Sequence, residues 1–368
     1  MNARSPRHRY MRYLRQLAFG LLSLLACIYI AACSRPQSPV SSLKTANTGA
    51  DRAETCRTIE HSVGQTEICD RPQEVATLSF HALDLLLSLG QEPGSVTTLL
   101  PLETEHVERP DLAIPLLGDR ITNRPLALGS FATPLSLETL TRIKPDAIVA
   151  EAPIVSEPMI AEIAPAIPLK PRNIAGNWRE NLRLSAQMLG DESLADAAIA
   201  RYEQQIEATR RALADNIAAH PKITVLGGEN FARGMLFAVG EESFAGEILT
   251  EIGFELVLPP GAMRNMVPVS LELLPDLNEA DSILVLGFNF DAARSDAPDN
   301  VEERDRFIAE QSDKIRKDWE RNPLAQSLPA SKAGRVYFQT FYEWSIFNGP
   351  IGSEIIFQLL RDTFGAAA

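Results

Sequence analysis

The chain has 368 residues, 45 % hydrophobic and 23 % charged, an ordinary globular composition with enough length for two cores of usual size. Its 48 acidic residues outnumber 35 basic ones, giving a net charge of −13. That balance excludes a sequence-wide footprint for nucleic acid, and an anionic partner would need a local cationic pocket.

The charge is unevenly placed. Arg4, Arg7, Arg9, Arg12 and Arg15 all precede the first acid, Asp51, and without residues 1–32 there remain 30 bases against 48 acids, a net −18. The basic segment is followed by an apolar run from Leu17 to Ala32, the n-region and h-region of a secretory signal, which is shorter than a membrane span of roughly 20 residues. The run ends in Ile30, Ala31, Ala32 and Cys33, which resembles the lipobox of bacterial lipoproteins. That resemblance implies a lipid on Cys33. Leu24, Leu25, Ala26 and Cys27 form a competing match with a shorter h-region, and an uncleaved anchor is a third reading. In each case the remainder lies outside the cytoplasmic membrane, on the periplasmic side of the envelope. Residues 33–54, rich in Ser, Pro, Thr and Ala, read as a flexible tether. Two cysteines remain, Cys56 and Cys69, an even pair in an oxidising compartment. β-Prone runs flank Ser62, Val63, Gly64 and Gln65, so a hairpin with a disulfide across it is expected. A zinc site would need more ligands than His61 and two thiols.

From residue 55 to 190 the pattern alternates short apolar strands with helices, as in a parallel α/β lobe. Val75 to Leu78 is a strand, Leu83 to Leu89 a helix stopped by Gly90, Ser95 to Leu99 a second strand, Leu135 to Ile143 a helix, and Ala147 to Ala150 a third strand. Trp178 to Leu189 is a helix ended by Gly190. The next helical period runs from about Glu192 to Ala219, on the order of 40 Å, so residues 191–220 can link two lobes. A second α/β series fills 221–368. Its strands are Ile223 to Leu226, Met235 to Val239, Ser282 to Leu286 and Arg335 to Phe338, and its helices are Ser243 to Ile252, Leu271 to Leu277 and Pro350 to Phe364. The charged stretch 289–322 reads as an exposed loop and a solvated helix.

Pro134, Leu135, Ser136, Leu137, Glu138, Thr139, Leu140 recurs as Pro268, Val269, Ser270, Leu271, Glu272, Leu273, Leu274, and each copy precedes an Asp and an apolar strand. The two series are therefore related halves. In each copy Ser caps a helix and Glu lies in its first turn, which suits the positive helix end.

With these residues in hand, the sequence resembles the periplasmic binding proteins of bacterial ABC importers for ferric siderophores and cobalamin, over roughly residues 55–366. The resemblance is carried by Arg71, Pro72, Gln73, Glu74, Val75 with Ser79, by Ser136, Leu137, Glu138 with Lys144, Pro145, Asp146, and by Gly176, Asn177, Trp178. It continues in Asn322, Pro323, Leu324 and in Lys332, Ala333, Gly334, Arg335, Val336, Tyr337. It implies two Rossmann-like α/β lobes with mainly parallel sheets, joined by one long rigid helix. It also implies a monomer that captures a ferric chelate and delivers it to a permease, whose arginines would meet Glu138 and Glu272. Cobalamin and haem are the nearer alternative ligands, and no cofactor or protein-held metal is expected. Residues 289–315 depart from the family pattern as a charged insertion.

Loops after the strands should hold the ligand. Arg124, Arg233 and Arg264 are the cationic candidates for anionic oxygens, and Phe231, Tyr342 and Trp344 the apolar contacts. The bland alternatives are a surface role for each Arg and packing of the last helix for the aromatics. No nucleophile elbow, P-loop or zinc motif occurs, and Gly227 with Gly228 lacks the other glycines of a dinucleotide fingerprint, so no enzyme is expected.

Overall fold

In the computed structural model, residues 55–102, 104–130, 133–156, 158–229, 236–259, 265–289 and 298–365 are described. The described residues open with a hairpin, β1 (Cys56–His61) and β2 (Gly64–Cys69), in which Cys56 faces Cys69 and is bonded to it. The first lobe then builds β3 (Val75–Thr77), helix α1 (Phe80–Ser88), β4 (Ser95–Thr98), α2 (Pro110–Ala113), β5 (Leu126–Ser130), α3 (Leu137–Ile143), β6 (Ala147–Glu151) and β7 (Ala166–Leu169). The strands lie in the order β5-β4-β3-β6-β7, all parallel. β3 and the first four residues of β6 are wholly buried, which is why they read, Thr77 apart, as continuous apolar runs rather than alternating ones. The hydroxyls of Ser79 and Ser136 cap their helices, accepting from Ala82 N at 3.1 Å and Thr139 N at 3.2 Å, whereas Ser270, expected to cap the second copy of the repeat, makes no side-chain cap bond.

α4 (Asn177–Leu189) leads into the linking helix α5 (Ser193–Ala212). α5 has 20 residues, about 30 Å, rather than the 28 that the period suggests. Leu213 turns fully into the core with φ −102° and ψ 1°, and a separate short helix follows over Ala214–Ala219.

The second lobe comprises β8 (Lys222–Gly228), β9 (Leu236–Val239), α6 (Phe244–Ile252), β10 (Glu255–Leu256), β11 (Met266–Val269), β12 (Ser282–Gly287), α7 (Val301–Glu310), α8 (Asp313–Arg321), β13 (Val336–Thr340), α9 (Phe341–Ser345) and α10 (Pro350–Phe364). Its strand order is β11-β9-β8-β12-β13 with β10 also on β8, and β9 runs antiparallel to both neighbours. The second copy of the internal repeat forms a 3₁₀ helix over Leu271–Leu277, because Pro275 lacks the N–H that an α-helix needs.

α5 packs on α4, α6 and α10, so helices of both lobes share its surface. The Tyr202 ring lies 4.7 Å from that of Trp178 on α4 and 5.5 Å from that of Phe357 on α10, centroid to centroid. One buried cluster runs from Val75, Val149 and Ile167 through Tyr202 and Ile206 to Val225 and Leu284. The linker is thus part of a core continuous with both sheets.

Candidate functional site

In each sheet the chain order reverses once, between β3 and β6 in the first lobe and between β8 and β12 in the second. Crevices outside the carboxyl ends of strands at such points are where open α/β sheets bind ligands.

The first crevice is polar. Ser79 follows β3, Glu151 ends β6, and Arg172 follows β7. The Arg172 guanidinium stands 3.4 Å from a Glu151 carboxylate oxygen, with 42 % of its side chain exposed. Burial disfavours the Glu151 charge, but the Ser79 hydroxyl and Arg172, joined by His81 only when its ring is protonated, outweigh it and hold the carboxyl below its usual range. His81, in the first turn of α1, is fully buried. Its Nδ1 meets the Phe347 carbonyl at 3.2 Å, which can only accept, so Nδ1 carries the proton and Nε2 accepts from the Asn181 amide at 2.9 Å. The Asn181 side chain in turn donates to the Lys170 carbonyl and accepts from the Lys170 N–H. Burial pushes the His81 pKa down to about 4, so the ring is neutral at pH 7 and serves as a bracket between α1, α4 and the loop before α10.

The second crevice is aromatic. Phe237 on β9, Phe288 just after β12 and Phe341 just after β13 form a half-buried trio with centroid separations of 5.4 to 6.5 Å. Gly227 permits it, since a Cβ there would lie 2.0 Å from the Phe237 ring, and this close approach is the physical role of the glycine. Glu229, after β8, has a side chain only 10 % exposed and an ion pair to Lys314 at 3.8 Å. On α9, burial pushes Glu343 up to about 7 against a hydrogen bond from the Thr340 backbone.

Several candidate residues stand elsewhere than the sequence suggested. Arg124 precedes β5, at the opposite end of the strand from the crevice, and its exposed guanidinium pairs with Glu108 at 2.9 Å. Trp344 is 1 % exposed, with its indole N–H donating to Gln339 Oε1 at 2.6 Å, so its surface is spent on the core. Tyr342 is 7 % exposed, and burial raises its hydroxyl pKa to about 12. Both are packing residues around the last helices, not open ligand contacts. Phe231, Arg233, Arg264 and Cys33 lie outside the described residues. Glu138 and Glu272 are both exposed in the first turns of their helices, and Glu272 is held below its usual pKa by its own backbone N–H and the Ser270 hydroxyl.

Arg172, Phe237 and Phe288 were not singled out from the sequence, whereas Phe341 stands in the aromatic cluster of Phe338, Phe341, Tyr342 and Trp344 that follows a strand. Arg172 follows β7, whose Pro168 hides the strand. Phe237 and Phe288 are single aromatics in apolar runs, where the default role is core.

Residues 128–342 match the family described as periplasmic binding protein. The chain is 25 % identical over 345 residues to the Fe(3+)-citrate-binding protein YfmC of Bacillus subtilis (strain 168), covering 92 % of this chain and 93 % of that one. It is 24 % identical over 303 residues to the achromobactin-binding periplasmic protein of Dickeya dadantii (strain 3937), covering 80 % and 88 %. The solved structure of Staphylococcus aureus SirA complexed with staphyloferrin B shares the fold, with a TM-score of 0.62 at 22 % identity over 83 % of this chain and 98 % of that one.

Proposed function

The chain belongs to the periplasmic binding protein family, and from that premise we propose that it captures a ferric siderophore between its two lobes and hands it to the transmembrane subunits of an ABC importer. It is a binding protein, not an enzyme. The observation that carries the ligand class is the pairing of two unlike crevices. Arg172 offers a guanidinium to anionic oxygens of a chelate, and Phe237, Phe288 and Phe341 offer ring faces to its organic arms. An iron ion already wrapped by its chelator needs no ligand set from the protein. The names of the relatives, binders of Fe(3+)-citrate and of achromobactin, support the same class.

Around this centre, residues 1–32 are an export signal, Cys33 carries the lipid anchor, and 33–54 tether the lobes to the membrane. Residues 55–190, 191–220 and 221–368 are the first lobe, the linking segment and the second lobe. Glu138 and Glu272 are the contacts to permease arginines. The mature chain's acidic surplus would repel an anionic chelate, so a positive potential local to the cleft is required, and Arg172 contributes to it only in so far as a chelate displaces its partner Glu151.

Calorimetric titration of the mature apo protein with ferric citrate, ferric catecholates, ferric hydroxamates, cobalamin and haem tests the reading. A ferric chelate is expected to bind with a Kd of about 1 µM or tighter. Arg172→Ala should weaken it about tenfold, with stability measured in parallel because Glu151, whose side chain is 12 % exposed, loses its cation. Binding of cobalamin or haem with no ferric chelate bound would overturn the ligand class. Glu138→Lys with Glu272→Lys should abolish uptake by cells at unchanged affinity, and normal uptake would return both residues to a helix-capping role.

A further inference from the structure

Between β12 and β13 lies α7, which touches β13 of its own lobe and α2 of the other. α7 is capped by Asn300, whose side chain accepts from Glu303 N at 3.0 Å, and none of its residues is fully buried. One face of it is nonetheless engaged. Arg304 has a side chain only 12 % exposed, donates to the Asp111 carbonyl at 3.2 Å and stands 3.4 Å from Asp119. It also pairs with its neighbour Asp305 at 2.9 Å. Phe307, three residues on, packs on a cluster that both lobes build, with Leu83, Val96 and Ile114 from the first and Tyr342 and Ile346 from the second, and its ring lies 6.3 Å from that of Tyr342. Gln311, a turn further, is 1 % exposed, donates to the Phe307 carbonyl at 3.0 Å and accepts from Asn289 N at 2.8 Å. Positions 304, 307 and 311 share one helical face.

Both attachment points lie at carboxyl ends of strands. Asp111 belongs to α2, whose Ala113 carbonyl accepts from Leu99, the first residue after β4, and Asn289 is two residues past β12. The root of the segment is seated closely, since a Cβ at Gly287 would lie 2.4 Å from the Ser312 Cα. α7 therefore leaves the second lobe on the crevice side and fastens to the crevice side of the first.

We propose that residues 298–312 form a strap across the mouth of the cleft, with Arg304 and Phe307 as the clasp that must release before the lobes can part. The chemistry is suited to reversible closure. A guanidinium on a backbone carbonyl and an exposed carboxylate gives a directional contact that water can replace, and one phenyl ring gives a small apolar seat. The clasp would set how often the cleft opens for exchange, whatever the cargo.

The experiment uses the apo mature protein, so it is independent of the ligand assigned above. Spin-label pairs at Arg183 and Glu302 read the strap, and pairs at Arg183 and Glu279 read the two lobes, by pulsed dipolar spectroscopy. The parent should give a dominant short distance for each pair. Arg304→Ala should raise the ratio of open to closed populations about tenfold in both pairs, which corresponds to about 1.4 kcal/mol. Phe307→Ser should act in the same direction. Asp119→Asn, at an exposed position, should give a smaller shift and serves if either other variant fails to fold. Distance distributions equal to the parent's overturn the clasp. A strap that comes loose while the lobe pair stays unchanged overturns its control of opening.

Discussion

Asp84 offers a sharp test of how the two lobes are held together. It sits on α1 with no exposed surface, and its carboxylate oxygens accept from Ile351 N at 3.0 Å and Gly352 N at 2.9 Å, with Ser88 Oγ at 3.0 Å. Those two amides are in the first turn of α10, whose own N-cap, Gly349, makes no side-chain cap bond. Pro350 has no N–H to satisfy, so Asp84 caps the two donors that the helix leaves open, from another element of the fold. Gly349 is required by this contact, since a Cβ there would lie 2.7 Å from the carboxyl carbon. Asp84→Ala strands two buried donors at roughly 1–3 kcal/mol each, partly relieved by water entering the space, for a net loss of about 3 kcal/mol. The loss depends on pH. Burial pushes the Asp84 pKa up from 3.8 to about 7, against the pull of the two amides and Ser88. The folded state thus keeps a proton that the unfolded chain releases, and this contribution to stability is full below about pH 4 and is lost as pH rises through 7. Between pH 5 and pH 8 the gap between the parent and Asp84→Ala should narrow by on the order of 2–3 kcal/mol. Urea unfolding followed by ellipticity at both pH values measures it, with Asp84→Asn as a control that retains an acceptor and does not titrate. A variant within about 0.5 kcal/mol of the parent at pH 5, or a gap that stays constant, refutes the reasoning.

Trp344→Ala should lower stability by about 3–5 kcal/mol in the same assay and leave the affinity of the folded protein for its chelate within about twofold, because the indole is buried. A large affinity loss at unchanged stability would restore Trp344 to the cleft. Arg179 joins the lobes at the back. From α4 it pairs with Glu247 and with Glu251, both on α6, stacks 4.4 Å from the Trp178 ring centroid and 4.9 Å from that of Tyr202, and Tyr202 donates to Glu251 at 2.6 Å. Arg179→Ala leaves two carboxylates facing a tyrosine hydroxyl without their cation and should cost about 2 kcal/mol, read as a shift of the urea midpoint at constant slope. An unchanged midpoint would reduce the pair to a surface ornament.

Element by element, the sequence was legible where burial imposes a pattern. Strands buried on both faces, Val75–Thr77, Ala147–Ala150 and Ile283–Leu286, are apolar but for Thr77, and their helices carry Ser caps and Gly stops that need no tertiary partner. Two edge strands were not legible, β7 with Pro168 and β11 with Pro268, because proline argues against a strand until one knows that its missing N–H faces no partner. That gap had consequences for the site. With β7 unseen, Arg172 had no strand end to follow, and with β5 unseen, Arg124 looked like a residue after a strand rather than one leading into the next.

By itself the sequence determined the kind of object this is, namely two α/β halves and an intervening helix, because repeat and periodicity are local properties of the chain. Which side chains face the cleft was decided only by tertiary structure. Trp344 and Phe341 are three residues apart in one aromatic cluster, yet one is sealed in the core and the other half open, since direction depends on the packing of α9 against its neighbours. The strap is the same case. Arg304 reads as one charge among many on a solvated helix, and only the approach of Asp111 and Asp119, nearly two hundred positions earlier in the chain, gives it a partner.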